Sequence, residues 1–197
     1  MIKTPRSVVF LGPDGAGKTT LMQLTEDLLS AEGIDFARYY FAPGYMKRYR
    51  PLPVASITTN PHEGRQYGPG LIFLKILLLL FEFRMGLPKV KRANNLVLFD
   101  RFIHDLLIDP RRYRMQRVRW WMRALLKLSP RVDLVVIITA PTNVIQARKQ
   151  EVSPEETERQ SHAYKASAKQ FSRAILIENV GHPEEAAARI VSAILEE

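Results

Sequence analysis

The sequence contains no cysteine. That excludes disulfides, thiolate metal sites and a cysteine nucleophile, and it predicts a cytoplasmic protein. Internal repeats, low-complexity tracts and a dividing linker are also lacking, so the 197 residues read as a single domain over 1–197. The longest apolar stretch, Leu71–Leu87, is broken by Lys75, Glu82 and Arg84. It falls short of the ~20 apolar residues a spanning helix needs, and a helix buried in the core or a subunit interface is expected there. Met1–Arg6 run straight into a strand-like segment, which does not read as a signal peptide. Acids are absent from 111–131, where Arg111, Arg112, Arg114, Arg117, Arg119, Arg123, Lys127 and Arg131 lie. Outside that segment 21 bases face 20 acids, so the formal charge of +9 is one local patch on a near-neutral chain. Such a patch implies a local anionic partner rather than a surface coated by nucleic acid.

What is present is an alternation of short apolar runs with helical patterns. Ser7–Leu11, Phe36–Phe41, Leu96–Phe99, Leu134–Ile138 and Ile175–Ile177 carry the strand signal. Continuous Val/Ile/Leu runs suit strands covered on both faces. The expected fold is therefore α/β, a three-layer α/β/α sandwich around a five-stranded parallel sheet. The first helix should open at Lys18-Thr19-Thr20 and stop near Gly33. Ser153-Pro154-Glu155-Glu156 combines an N-cap serine, a first-turn proline and a glutamate three residues on, a capping box for a helix running to about Arg173. The last helix should begin near Pro183.

Between the first strand and first helix stands Gly12-Pro13-Asp14-Gly15-Ala16-Gly17-Lys18-Thr19, a full match to G-x-x-x-x-G-K-[ST]. Glycines let the backbone bend around phosphate, and the helix N-terminus adds its positive end. Gly12 to Thr20 are thus the predicted ATP-binding residues. Lys18 is expected to bridge the β- and γ-phosphates, and the Thr19 hydroxyl to ligate Mg²⁺. Asp100 comes directly after the third strand, at the sheet edge where ligands gather, and is read as a Mg²⁺ partner or an orienter of the acceptor. Arg101 follows it as a clamp for an anion or for the transferred phosphoryl group. Phosphoryl transfer also needs a mobile cation. The loop positions Pro13, Asp14 and Ala16 supply none, so a lid at about 146–159 is expected to provide Arg148, Lys149 or Arg159, with Arg148 first. Lys18, Asp100, Arg101 and Arg148 form the predicted catalytic set.

These residues resemble the thymidylate kinase-like branch of the P-loop nucleotide kinases. The phosphate loop with aspartate at its third position, Leu98-Phe99-Asp100-Arg101-Phe102, and the stretch from Ala147 to Tyr164 carry the resemblance, in order and spacing over nearly the whole chain. It implies a P-loop NTPase fold, a homodimer packed through helices, and γ-phosphate transfer from ATP to a nucleoside monophosphate such as dTMP. It implies also that Asp14 contacts the acceptor's sugar and Arg101 its phosphate. The sequence departs from that pattern around the acceptor. Phe41-Ala42-Pro43-Gly44 replaces Arg-Glu-Pro-Gly, and His104-Asp105 stand where small hydroxyl residues are expected. Arg84 is the candidate base reader. Phe41, His104 and Asp105 join Asp14, Arg84 and Arg101 as acceptor candidates, and His104 is a candidate general base. Tyr39, Tyr40, Tyr45 and Tyr67 are candidate stacking rings.

Three readings stay open at this level. One is a nucleoside monophosphate kinase. A second keeps the chemistry but takes a sugar, glycan or lipid-linked precursor as the small-molecule acceptor, with His104, Asp105 and Asp109 as hydrogen-bonding partners. A third is a nucleotide-binding module without turnover. The guanine-reading Asn-Lys-x-Asp pattern is absent, and no nucleic-acid reader motif is recognised. Residues 115–128 form an amphipathic pattern, with Met115, Val118, Met122 and Leu125 on one stripe and Arg119, Arg123 and Lys127 on another. A peripheral contact of 111–131 with the anionic inner membrane surface is one expectation for it, an electropositive mouth for the acceptor another.

Overall fold

A computed structural model describes residues 6–40, 66–150 and 152–196. Phe41 and Tyr45 lie outside the described residues. Five strands form one parallel sheet: β1 (Ser7–Leu11), β2 (Phe36–Tyr40), β3 (Leu96–Asp100), β4 (Leu134–Thr139) and β5 (Ala174–Glu178), in the order β2-β3-β1-β4-β5. Every residue of β1 and β4 is buried, as continuous apolar runs require when both faces are covered.

Alternate strand residues feed two separate cores because successive side chains point to opposite faces. Val9, Leu11, Val97, Phe99, Val135 and Ile137 face one layer, made by α2 (Pro69–Ala93), α3 (Asp105–Ile108), α4 (Trp120–Leu126) and Tyr164 of α6 (Pro154–Ser167). Val8, Phe10, Leu98, Leu134, Val136 and Ile138 face the other, made by α1 (Lys18–Ala31), Ile145 of α5 (Thr142–Arg148) and α7 (Pro183–Leu195). The result is the expected three layers.

The order places β1 between β3 and β4, so the loops leaving the carboxyl ends of these three strands meet. Gly33, with φ of 71°, turns the chain out of α1, its N–H donating to the Ser30 carbonyl. Ser153 caps α6 by accepting from the Glu156 N–H at 3.3 Å. Two helical expectations need correction. Helix α6 ends at Ser167 and not near Arg173, because the Ser167 hydroxyl turns back to the Tyr164 carbonyl (2.7 Å) and a short 3₁₀ turn leads to extended backbone at Phe171. The amphipathic stretch 115–128 is helical only over Trp120–Leu126; a left-handed Arg114 (φ 61°) precedes irregular backbone there.

Among the described residues no helix is long and apolar enough to cross a membrane. Helix α2 spans 25 residues, but its charged side chains interrupt the apolar run, as expected.

The opposite, amino edge of the sheet is tied by one carboxylate. Asp133 accepts from the Ser7 N–H (2.9 Å), the Ser7 hydroxyl (2.8 Å), the Arg6 N–H (3.1 Å) and Lys91 (2.9 Å). Burial raises its pKa, but the Lys91 and Ser7 hydrogen bonds prevail and hold it below the usual carboxylate value. The charged form is therefore the stabilising one, and its contribution is present above the ordinary carboxylate pKa and fades as pH falls through the lower folded value. Asp133→Ala is expected to lower unfolding free energy by about 2 kcal/mol at neutral pH, with a smaller loss near pH 3, read by urea titration.

Candidate active site

The loop Gly12–Gly17 follows β1 and opens α1. Gly12, Gly15 and Gly17 all have positive φ, at 150°, 84° and 88°. Two of them are also constrained by space. A Cβ on Gly12 would lie 2.0 Å from the Ile138 carbonyl oxygen, and one on Gly17 would lie 2.2 Å from Asn179 Nδ2. Gly17 is the N-cap of α1, and the first helical bond runs from the Leu21 N–H to its carbonyl (3.0 Å). The N–H groups of Lys18, Thr19 and Thr20 thus have no intrahelical acceptor, the arrangement that makes a helix start an anion site. Thr19 and Thr20 are exposed there; Pro13 and Ala16 are buried in the loop's underside.

Lys18 curls back over this concavity. Its Nζ donates to the Gly12 and Pro13 carbonyls at 2.7 and 2.8 Å and stands 3.6 Å from Asp14 Oδ1. The side chain is only 8% exposed. Burial, with Arg101 as a positive neighbour, lowers its pKa to about 8, against the opposing pull of Asp14, Asp100 and Asp105. An ammonium so held is poised for anions.

Asp14 joins two guanidiniums. Arg101 Nη2 and Arg112 Nη1 each donate to one of its oxygens. Arg101 is 3% exposed, has φ of 71°, and donates also to Asp105 Oδ2 (2.7 Å) and the Tyr164 hydroxyl (3.4 Å). Tyr164 in turn donates to Asp105 Oδ1 (3.2 Å). Burial works against the Arg101 charge, but Asp105 and Asp14 overcome it and hold its pKa well above the ordinary guanidinium value. Asp109 is buried and accepts from the Arg112 N–H at 3.3 Å. Tyr40, at the end of β2, is near enough to the Arg112 guanidinium to favour its charged form.

Asp100 lies beside β1 in register with Phe10, and the Arg101 N–H donates to the Phe10 carbonyl (3.0 Å). Its carboxylate pairs at 3.5 Å with Arg38, which also meets Glu26 at 3.3 Å. Asp100 is thus near enough to Lys18 to act on its charge. Arg148, at the end of α5, reaches the loop from above: its Nη1 is 3.5 Å from where a Gly17 Cβ would stand. Arg159 is engaged elsewhere, by both Glu156 oxygens at 2.7 Å and the Ile108 carbonyl at 2.8 Å.

The structure therefore gathers Gly12 to Thr20, Asp100, Arg101, Asp105 and Arg148 at one edge. It sets one acceptor candidate, His104, apart. His104 is stacked at 5.9 Å on Phe102 and edge-on at 4.7 Å to Phe171, and burial drops its pKa to about 4. A ring of that pKa is neutral at pH 7 and is a weak base. Arg84 is exposed on α2. Phe41 is outside the described residues.

Three site residues escaped sequence reasoning. Arg112 is hidden in a run of like charges. Tyr164 carries no motif, although it closes the lid resemblance. Asn179 leaves β5 at the same edge and donates from Nδ2 to the Ala16 carbonyl (2.9 Å), bracing the loop. Its place after the fifth strand was the available signal.

Thr19 and Asp100 offer one hydroxyl and one carboxylate, a donor set that fits Mg²⁺, which keeps several waters and takes few protein ligands. Among the described residues no group of three or more His, Asp or Glu side chains could hold a metal by itself.

An anion favours the charged form of Lys18, so binding should take up a proton near pH 8 and weaken as pH rises. Affinity for ATP, used as an anionic probe, is expected to fall several-fold between pH 7 and 9.5, with the dependence abolished in Lys18→Met, as read by titration calorimetry in buffers of different ionisation enthalpy. No protein-family model matches this chain, and no curated protein matches it.

Proposed function

We propose that the protein is an ATP-dependent phosphotransferase of the P-loop, thymidylate kinase-like type, acting on an acceptor that carries an anionic group such as a nucleoside monophosphate. The observation that carries the reading is the buried Lys18 ammonium held in the mouth of the Gly12–Thr19 loop at the start of α1. Lys18 would exchange its loop carbonyls for phosphate oxygens of the donor. Thr19 and Asp100 would hold Mg²⁺, which screens the phosphates when bound. Arg148, already against Gly17, would supply the charge that meets the transferred oxygens, where one guanidinium is worth several orders of magnitude in rate.

The acceptor side favours an anion over a neutral polyol. Arg101 and Arg112 converge on the single carboxylate of Asp14, and a phosphate can exchange for it with two charge-assisted hydrogen bonds. The groups that suited a polyol are turned inward: Asp105 pairs with Arg101 and Tyr164, Asp109 accepts from the Arg112 backbone, and the His104 ring packs against two phenyl rings. Retention of Lys18, Asp100 and Arg101 in one cleft also supports turnover over a binding module.

ADP release with a panel of nucleoside monophosphates and sugars tests this. Turnover is expected with a monophosphate and not with its nucleoside, and its loss is expected in Lys18→Ala. Arg148→Ala should lower kcat by about 10²–10³ with little change in KM. Arg112→Ala should mainly raise KM for the acceptor. No ADP release above the Lys18→Ala background with any acceptor contradicts the kinase reading. Turnover with neutral sugars alone contradicts the anionic acceptor.

A further inference from the structure

The phosphate cleft leaves unexplained the outer face of α2 and the basic segment beside it. Five side chains of α2 recur at steps of three and four: Leu71, Leu74, Leu78, Phe81 and Met85 are each about half exposed or more, with Phe81 at 61%. They line about 20 Å of one helix face. Exposed apolar patches of this size, rimmed by polar groups, mark interaction sites.

The neighbour of that face is cationic. Tyr67, just before α2, donates its N–H to the Arg114 carbonyl (2.9 Å), and its ring is bracketed by Lys75 (4.8 Å) and Arg114 (5.7 Å). Phe73 meets Trp121 edge-on at 5.4 Å, which fixes α4 against the first half of α2. Beside Trp121, Trp120 is 81% exposed and Leu128 62% exposed. Arg117, Arg123, Lys127 and Arg131 are exposed and, among the described residues, take part in no ion pair. From residue 66 to 131 the acids are Glu82, Asp100, Asp105 and Asp109, of which the last three belong to the cleft edge.

We propose that this composite face, the α2 stripe with Trp120 and the cations of 111–131, docks on the surface of an anionic phospholipid bilayer. Apolar side chains and tryptophan enter the headgroup boundary while arginine and lysine meet lipid phosphates. Charge decides between this occupant and a second copy of the chain. A two-fold contact through α2 would bring two cationic borders together with only Glu82 of α2 to offset them, whereas an anionic bilayer complements both parts of the face. The strands are parallel and α2 leads into the start of β3, so its first half lies toward the carboxyl edge. Docking there keeps the cleft close to the lipid surface.

Sedimentation of the full chain with vesicles tests the proposal. Binding is expected to phosphatidylcholine vesicles containing one-third phosphatidylglycerol, with a blue-shifted tryptophan emission, and not to phosphatidylcholine alone. High salt should weaken it. Arg123→Glu with Lys127→Glu should reduce partitioning at least ~10-fold, and Leu78→Ser with Phe81→Ser should do so without changing the far-ultraviolet circular dichroism. No binding to anionic vesicles at low salt overturns the proposal. Binding indifferent to the Leu78 and Phe81 changes removes the α2 stripe from it. A dimer in analytical ultracentrifugation that Phe81→Glu dissociates, with no vesicle binding, assigns the face to a second copy.

Discussion

Asp14 accepts from two guanidiniums that arrive from different parts of the chain, Arg101 directly after β3 and Arg112 after α3, while Lys18 stands 3.6 Å from the same carboxylate. The phosphate loop and the segment from Arg101 to Arg112 are thereby one electrostatic unit. Arg101 and Asp105 are almost wholly buried, and a charge in that position without its partner costs several kcal/mol. Removing Asp14 or Asp105 therefore does more than delete a contact: it leaves a guanidinium desolvated. The strained φ of Arg101 fits the same picture, because a backbone in a sparsely populated conformation persists only where surrounding bonds over-determine it. The Phe10 carbonyl, Asp14, Asp105 and Tyr164 supply those bonds here.

This unit gives the cleft a division of labour. On the proposed donor side, a lysine with depressed pKa and helix N–H groups without an intrahelical acceptor would receive phosphate. On the proposed acceptor side, two guanidiniums share one carboxylate and so retain capacity for a second anion. Arg148 approaches the loop from α5, a short helix followed by the capped start of α6, which is where the proposed transfer needs a cation that can move.

The elements that periodicity and motif could reach were legible: five strands, the loop, Asp100 and Arg101 all stand where continuous apolar runs and G-x-x-x-x-G-K-T placed them. What was not legible depended on tertiary neighbours. His104 looked like a base by residue type, yet its chemistry is decided by Phe102 and by Phe171, 67 positions away in the chain. Arg112 belonged to a charge run that reads as a solvated face, and only the fold singles it out by laying it against Asp14 and Tyr40. Helix α6 ended early because a serine hydroxyl and an extended Phe171 outweighed a helix-compatible sequence.

The proposed activity requires that the Gly12–Thr20 backbone cradle the donor phosphates. Hydrogen–deuterium exchange measured with and without ATP and Mg²⁺ tests it most directly. Slower exchange is expected in peptides covering residues 12 to 20, a change that is absent in Lys18→Ala. Unchanged exchange across that loop at saturating ATP, or protection confined to another part of the chain, would contradict it.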